Sequence, residues 1–303
     1  MRIRFIQEII NSFKVKISDM CTTKDTVRLI YFKNAKHKNA GDIFNESIMK
    51  YFNLKFKKAL VTNADLACIG SILDSFLVDD KAKFEDKYDE CIIVGSGFIK
   101  PNESKQKLRR KVNIKALRGK KSVERFMNAA VELDNIVLAD PGILASYIFP
   151  INCEKKYDVG IIPHYVDKEN SCLINNIHLK DNKYIIIDIE QDVEEVLKQL
   201  CECNCIISSS LHGLIFADSY NIPNRQMVVS DLVIGGTYKF EDYYSAYDLD
   251  LPEVIDIRKC VISDAIIARV KSEYIDKEAL IKSKQIELVN IFEDISNKIN
   301  NKV

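Results

Sequence analysis

The fold of this chain is decided by the stretch from Cys205 to Gly213, which reads Cys-Ile-Ile-Ser-Ser-Ser-Leu-His-Gly. Its apolar start predicts a buried strand, and the apolar spacing between Leu211 and Ser219 predicts a helix directly after the serines. This order of strand, polar turn and helix places unpaired backbone N–H groups and the positive end of the helix dipole at one edge of a sheet. Such an edge suits a phosphate or a carboxylate, and His212, one of four histidines in the chain, lies in it.

Short apolar runs alternate with helical patterns along the whole chain, which predicts an α/β fold with parallel sheets. Strands are predicted at residues 27–32, 66–69, 91–94, 112–117 and 136–139 in the first half, and at 158–162, 184–189, 205–208, 225–229 and 254–257 in the second. Helices are predicted at residues 43–52, 122–131, 192–200 and 274–298. A length of 303 residues agrees with two domains of this class.

Turn residues and a polar run near residues 150–156 predict the boundary between the two α/β halves. The predicted organisation is an N-terminal helical extension (1–25), a first α/β domain (26–150), a second α/β domain (151–262) and a C-terminal helical segment (263–303). Residues 3–14 have an amphipathic helical pattern, which fits either packing on the protein or peripheral contact with a membrane. Apolar runs remain shorter than a membrane-spanning helix requires.

Composition excludes some classes of function. Lys and Arg equal Asp and Glu at 44 each, so the net charge of zero argues against binding nucleic acid by phosphate neutralisation. The nine cysteines are irregularly spaced, mostly in apolar runs, which is typical of reduced thiols in the cytoplasm. Cys201, Cys203 and Cys205 lack a second cysteine pair at zinc-ligand spacing, so no metal site is expected.

Polar residues and glycines follow most of the predicted strands. Ligands of open parallel sheets bind beyond the carboxyl ends of the strands, so these residues are expected to converge on one site. They are Asn39, Gly41 and Asp42; Gly70 and Ser71; Gly95, Ser96 and Gly97; Arg118 and Gly119; Asp140 and Pro141; His164; and the serine turn with His212.

Several of these residues also have a purely structural interpretation. Asp42 could cap a helix that begins at Ile43. Arg118 could lie in a surface turn, although an arginine at a strand end is suited to bidentate binding of phosphate or carboxylate. The glycines could serve tight turns, and His164 could be an ordinary loop histidine.

In this order the segments resemble those of the polysaccharide pyruvyl transferases, over about residues 27–250. The resemblance implies two Rossmann-like domains facing a cleft, as in the GT-B glycosyltransferases, together with a C-terminal helix. The segments that carry it are Asn39-Ala-Gly41-Asp42 with Asn45, Ile69–Leu73, Gly95–Phe98, Ala116–Gly119, Ala139–Pro141, Ile162–Asp167, Ser208–Ala217 with Asn221-Ile-Pro223, and Tyr238–Tyr243.

The resemblance implies transfer of a pyruvyl group from phosphoenolpyruvate to a sugar, with formation of a pyruvate ketal. The sugar would belong to a bacterial surface polysaccharide, such as a capsule or an exopolysaccharide, or to its precursor. Phosphoenolpyruvate is then the donor substrate, and neither a cofactor nor a metal is expected. The acceptor is expected to be a sugar, an oligosaccharide or a lipid-linked glycan.

The implied catalytic residues are His212, Asp42 and Arg118. His212 would act as acid or base with a pKa near the working pH, Asp42 would orient or deprotonate a sugar hydroxyl, and Arg118 would bind the carboxylate or phosphate of the donor. Gly95, Ser96 and Gly97 would let the donor approach the backbone. Substrate contacts are predicted for these three residues and for Asn39, Gly41, His164, Ser209, Ser210, Leu211, Gly213 and Lys239.

One position departs from the family pattern, because some members carry Arg where this chain has Ser210. The sequence therefore leaves open which residue provides the cation that binds the phosphate. The alternative function is a GT-B-type glycosyltransferase with a nucleotide-sugar donor, and a third is a non-catalytic carbohydrate-binding or scaffold protein. The expected location is the cytoplasm, with peripheral contact with the inner face of the membrane as an open alternative.

Overall fold

The computed structural model describes residues 26–33, 38–82, 89–176 and 183–300. The predicted helix at residues 3–14 lies outside these ranges. The first half contains the following elements in chain order: β1 (Thr26–Ile30), α1 (Ala40–Tyr51), β2 (Lys55–Lys58), β3 (Leu66–Ala67), β4 (Leu77–Asp79), β5 (Cys91–Val94), β6 (Gln106–Leu108), β7 (Val112–Leu117), α2 (Lys120–Asn128), β8 (Val137–Leu138) and α3 (Ala145–Ile148). Short 3-10 turns lie at Leu73–Ser75 and Pro141–Leu144.

The second half repeats the alternation of strand and helix. Its elements are β9 (Val159–Ile162), α4 (Ser171–Asn176), β10 (Tyr184–Ile186), α5 (Val193–Cys201), β11 (Ile206–Ser208), α6 (Leu211–Ser219), β12 (Asn224–Val228), α7 (Tyr238–Ser245), β13 (Ile255–Asp256), α8 (Asp264–Ser272) and α9 (Glu278–Asn300).

Each half builds its own parallel sheet. The first has six strands in the order β2-β1-β3-β5-β7-β8, and the second has five in the order β10-β9-β11-β12-β13. All strand pairings within these two sheets are parallel in the described part of the chain, whereas β4 and β6 form a separate antiparallel pair. The α/β class with parallel sheets is therefore confirmed. The division into two domains facing a cleft, and the domain boundaries, stay predictions.

Every strand predicted from the sequence is present, with ends that differ by at most three residues. The sequence pattern misses β2, which reads Lys-Phe-Lys-Lys and lies at the edge of its sheet. Lysines on an edge strand protect it from pairing with another chain, so an apolar pattern is not required there. The predicted helix at residues 274–298 is corrected at its start, because α9 begins at Glu278.

One hydrophobic core joins the two sheets. It contains Leu29 of β1 and Ile206 of β11, together with side chains from the helices between the sheets. Phe44 of α1 meets Phe216 of α6 edge to face, with ring centroids 5.4 Å apart. The helices that carry Asp42 and His212 are therefore packed directly against each other.

Helix α9 returns from the second half and packs on the first. Phe292 stacks on Phe52 with ring centroids 5.2 Å apart, and Ser296 Oγ donates to the carbonyl oxygen of Phe52 at 2.8 Å. Lys284 Nζ reaches the carbonyl oxygen of Leu138 at 2.7 Å. Among the described residues, no helix combines the length and apolarity needed to cross a membrane.

Replacement of Phe292 tests the docking of α9. Its ring is fully buried, so Phe292→Ala is expected to lower the free energy of unfolding by about 3–5 kcal/mol in urea denaturation. The matched control is Ile286→Ala, because Ile286 lies in the same helix and is 62% exposed. That control is expected to change the free energy by less than about 0.5 kcal/mol. Equal losses in the two variants would contradict the described packing.

Candidate active site

The serine turn between β11 and α6 is held by its own hydroxyl groups. Ser208 Oγ donates to the carbonyl oxygen of Ile162 at 2.8 Å and accepts from the backbone N–H of Ser210 at 3.0 Å. Glycine is needed at position 213, because a Cβ on Gly213 would lie 2.4 Å from Ser208 Oγ. The turn therefore fixes the direction of α6, all of whose residues are buried. Ser208–Ser210 and the start of α6 follow the central strand β11, as the sequence predicts.

His212 lies in the first turn of α6, against the start of α1. A Cβ on Gly41 would lie 2.1 Å from His212 Nδ1, so only glycine permits this approach. His212 is 7% exposed, and its Nε2 has no hydrogen-bond partner among the described residues. Burial, followed by the positive charges of Lys239 and Arg118, lowers the pKa of His212 to about 3. The imidazole is therefore neutral at physiological pH, and the expected pKa near the working pH is wrong for this arrangement.

Asp42 is the carboxyl group that titrates near neutral pH. Burial raises its pKa to about 7, Lys239 opposes this rise, and Asp140 adds to it. Asp42 does not cap α1: the N-cap is Asn39, whose side chain accepts from the backbone N–H of Gly41 at 3.0 Å. The capping interpretation of Asp42 is therefore wrong, and a carboxyl group with this pKa suits proton exchange.

Arg118 is fully buried between the two halves and already has protein partners. Its Nε donates to Asp242 Oδ2 at 2.9 Å, Nη1 to Ser71 Oγ at 2.7 Å and Nη2 to the carbonyl oxygen of Phe98 at 2.5 Å. A Cβ on Gly97 would lie 2.2 Å from the guanidinium carbon, so glycine there makes room for Arg118. An arriving anion would have to share the N–H groups of Nη1 or Nη2, and the anion-binding role of Arg118 stays a prediction.

Asp242 fastens α7 of the second half to α2 of the first. Besides Arg118, its carboxylate accepts from the backbone N–H of Ser122 at 2.9 Å and from Ser122 Oγ at 2.6 Å. Nearby, the backbone N–H of Lys120 donates to Ser245 Oγ at 2.8 Å. A negative charge in the first turn of α2 is also favourable to the dipole of that helix. The position of α7 relative to the first sheet is therefore set by buried polar contacts.

Lys239 lies one turn before Asp242 on α7, and its Nζ lies 5.6 Å from the ring centroid of Phe240. It is 8% exposed, and no hydrogen bond or ion pair of its Nζ occurs within the described part of the chain. Burial, followed by the charge of Arg118, lowers its pKa to about 8, while Asp42 and Asp167 raise it. The ammonium group is therefore largely protonated at neutral pH and available to an anion.

His164 is brought to the same site by the loop after β9. Its backbone N–H donates to Ser209 Oγ at 2.8 Å, and that hydroxyl donates to Asp167 Oδ2 at 2.9 Å. Burial, followed by the charge of Lys239, lowers the pKa of His164 to about 3. The imidazole of His164 is therefore a neutral group beside a cation, and its contact with substrate stays a prediction.

The glycine segment after β5 has a structural explanation. Gly95 has a φ of +84°, and a Cβ there would lie 2.2 Å from Pro141 Cδ. Ser96 Oγ is buried and donates to the carbonyl oxygen of Cys68. Packing therefore accounts for Gly95 and Ser96, as it does for Gly97, whereas the predicted approach of the donor to this backbone stays a prediction.

Sequence reasoning did not assign a role to Asp140 or Asp242. Asp140 Oδ1 accepts from the backbone N–H of Gly142 at 2.9 Å, and its buried Oδ2 has no partner among the described residues. Burial raises the pKa of Asp140 to about 6. The position of Asp140 after a strand was a usable signal, whereas the contacts of Asp242 with Arg118 and Ser122 span more than 100 positions and left no local pattern.

Within the described ranges, no group of three or more His, Cys, Asp or Glu side chains is arranged to hold a metal ion.

Comparison with known proteins agrees with the family resemblance of the sequence segments that build this site. The family model of the polysaccharide pyruvyl transferases matches residues 14–225. The chain belongs to this family. A transferase that acts on polysaccharide is the activity that membership supports. The site described above lies partly beyond the match, because Lys239 and Asp242 follow residue 225.

Two individual proteins are also similar to this pyruvyl transferase family member. An uncharacterized protein of Acanthamoeba polyphaga mimivirus is 29% identical over 243 residues, which is 76% of this chain and 77% of that protein. A structure of the wall teichoic acid polymerase TagF aligns with 99% of this chain and 96% of its own, at 12% identity and a TM-score of 0.38. That second likeness is too low to support an argument about this chain.

The contacts of Asp242 predict a loss of stability when its carboxylate is removed. Asp242→Ala leaves Arg118 buried without its counter-charge, so the free energy of unfolding is expected to fall by about 3–5 kcal/mol in urea denaturation. The control is Asp248→Asn, which removes the exposed ion pair between Asp248, just after α7, and Lys120, the first residue of α2. Asparagine tolerates the φ of +59° at this position, as alanine would not. That variant is expected to be indistinguishable from the parent. A similar result for Asp242→Ala would refute the bridging role.

The raised pKa of Asp42 predicts how stability depends on pH. Between about pH 4 and pH 7 the folded chain keeps a proton that the unfolded chain has released, so this group lowers stability as the pH rises. Asp42→Asn is therefore expected to raise the free energy of unfolding by about 2–4 kcal/mol at about pH 8 and to change it little at about pH 4. Urea denaturation at both pH values measures this, with exposed Asp250→Asn as the control. An equal effect at both pH values would contradict the assignment.

Proposed function

We propose that the protein transfers a pyruvyl group from phosphoenolpyruvate to a sugar of a surface polysaccharide or its precursor, forming a pyruvate ketal. The observation that carries this proposal is the buried ammonium group of Lys239, which has no bonded partner in the described part of the chain and lies near His212 at the start of α6. Family membership supports the reaction class, and a buried cation that has no bonded carboxylate among the described residues supports an anionic donor.

The donor has two anionic ends, a phosphate and a carboxylate. Lys239 binds one of them, and the backbone N–H groups of Leu211 and His212 in the first turn of α6 bind the same group. This chain has Ser210 where some members carry Arg, so Lys239 provides the positive charge that binds the anionic group of the donor. Arg118 contributes positive charge nearby, held in place by Asp242.

Binding of the donor changes the protonation of the site. An anion beside Lys239 offsets the positive charge that lowers the pKa of His212, so that pKa rises towards the neutral range. His212 can then accept a proton from a sugar hydroxyl and return it. Asp42, whose pKa is already about 7, exchanges the second proton.

The reaction balances without a redox step. One sugar hydroxyl adds through its oxygen to C2 of phosphoenolpyruvate, and a proton adds to C3 to give the methyl group. The second hydroxyl then adds to C2 as the C2–O bond to phosphate breaks, and its proton leaves with the phosphate. Two hydroxyl protons are therefore accounted for, and no oxidant or reductant takes part, which is why the proposal includes no cofactor.

The proposal assigns the reacting groups to two Rossmann-like domains in a GT-B-like arrangement, at residues 26–150 and 151–262. Asp42 and Arg118 belong to the first, and His164, His212 and Lys239 to the second. The remaining predicted contacts, Asn39, Gly41, Ser209, Ser210, Leu211 and Gly213, are proposed to act through the backbone geometry of the two helix starts. A cytoplasmic location near the membrane, where lipid-linked glycans are available, belongs to the same proposal.

The direct test is an assay with phosphoenolpyruvate and a panel of lipid-linked or nucleotide-linked oligosaccharides. Phosphate release together with the mass gain of a pyruvyl ketal is expected. Lys239→Met is expected to weaken phosphoenolpyruvate binding by about 10-fold to 100-fold, because a charge-assisted hydrogen bond is lost. His212→Asn is expected to lower kcat by at least about 100-fold with little change in donor affinity.

The matched control is Lys121→Met, which removes a half-exposed lysine paired with Glu241 on the protein surface. Its donor affinity is expected to equal that of the parent. Donor binding is read from the rise in melting temperature, which a ligand of the folded state must cause. A rise with nucleotide sugars and none with phosphoenolpyruvate would replace this proposal with the glycosyltransferase alternative.

A further inference from the structure

We propose that the acceptor binds in a cavity beside the serine turn. This cavity takes a neutral sugar ring, and Gln226 binds a hydroxyl group of that ring. The cavity measures about 370 Å³ and lies between the carboxyl end of β12, the loop that follows it, and the start of α7. That volume is within the range of small-molecule sites, about 300–1,000 Å³. The inference rests on the proposed function, since it assigns the acceptor of the same reaction.

The cavity borders the elements that build the candidate active site. Ser209 of the serine turn lines it, and so does Phe240, the residue directly after Lys239. Gln226 of β12 is the register partner of Ser208 on β11, which places it beside the same turn. A sugar in this cavity is therefore adjacent to the elements that carry His212 and Lys239.

Gln226 provides an unused hydrogen-bond acceptor in this wall. It is 4% exposed, and its Oε1 has no hydrogen-bond partner among the described residues. A buried carbonyl oxygen without a donor costs free energy, so such a group is favoured where a ligand supplies the donor. A sugar hydroxyl is a donor of this kind.

The charges around the cavity favour a neutral ligand. Arg258 lines it, but two carboxylates already offset its charge: Nη1 donates to Asp231 at 2.7 Å, and Nε and Nη2 donate to the carboxylate of Asp256 at 2.8 and 2.9 Å. Ser230, which also lines the cavity, donates to Asp167. The nearby carboxylates outnumber the cation, so a phosphate or carboxylate is disfavoured here and directed to Lys239.

The remaining lining suits the carbon face of a sugar ring. Leu232 and Ile234 lie on the loop after β12, and each is 64% exposed. The loop is held against the first half, because Gly235 has a φ of +87° and a Cβ there would lie 1.9 Å from the carbonyl oxygen of Ile99. Apolar side chains with a few convergent polar groups are the usual lining of a ligand site.

The test uses the full chain labelled with ¹³C at the methionine methyl groups. Met227 lines the cavity, whereas Met127 lies on α2 and is exposed, so it serves as the internal control. Titration with methyl glycosides of glucose, galactose and mannose is expected to shift the Met227 signal and leave Met127 unchanged. Gln226→Leu is expected to weaken this binding by about fivefold to tenfold and to leave phosphoenolpyruvate binding unchanged.

The matched control is Asn113→Leu, an amide-to-leucine change in a separate cavity of about 300 Å³ in the first half. It is expected to bind the glycosides as the parent does. Should Gln226→Leu fail to fold, Ile234→Asp replaces it, with the exposed Ile286→Asp as its control. Both pairs are read by the same titration.

The inference is overturned if no glycoside shifts Met227, or if the cavity variant binds as tightly as its control. Failure of the proposed function gives a different result. Glycoside binding at Met227 without pyruvyl transfer to any acceptor overturns the proposed reaction and leaves the sugar site standing. Transfer with an unchanged acceptor KM in Gln226→Leu supports the reaction and overturns this site.

Discussion

The buried ion pair between Arg118 and Asp242 is the interaction on which the candidate site depends. A guanidinium group removed from water is stable only when a carboxylate and further acceptors surround it, and here Asp242, Ser71 and Phe98 provide them. Arg118 follows a strand of the first sheet and Asp242 lies on a helix of the second half. One interaction therefore both neutralises a buried charge and joins the end of a strand in the first sheet to a helix of the second half.

The ion pair between Arg118 and Asp242 also affects the charge states of the other titratable groups at the site. With Asp242 bonded to Arg118, Lys239 on the same helix is left without a bonded carboxylate in the described part of the chain. Burial lowers the pKa of His212, and the charge of Lys239 lowers it further. Asp42 in the first turn of α1 is also buried, and burial raises its pKa to about 7. A free cation, a neutral imidazole and a carboxyl group that titrates near neutrality thus arise from burial together with one satisfied ion pair.

Much of the fold follows from local sequence. Apolar runs of strand length, such as residues 91–94, matched their strands because central parallel strands are buried on both faces. The edge strand β2 escaped prediction because its lysines carry no apolar pattern. The start of α9 was placed too early because Tyr274 and Lys277 both bind the carboxylate of Asp218, an interaction that only the folded chain forms.

The features of the candidate site can likewise be separated into those that the sequence predicts and those that only the folded chain shows. The sequence by itself determined the α/β class and the family, and it grouped Asp42 with Arg118 and His164 with His212, because residues after the parallel strands of one sheet meet at one edge of that sheet. The approach of these two groups, which follow strands of different sheets, depends on the tertiary structure. Only the tertiary structure decided the protonation states of these residues and the ion-pair partner of Arg118. It also decided that Lys239 has no bonded carboxylate in the described part of the chain. A pKa and an ion pair depend on distances between segments that are far apart in the chain, and on burial that neither segment has alone.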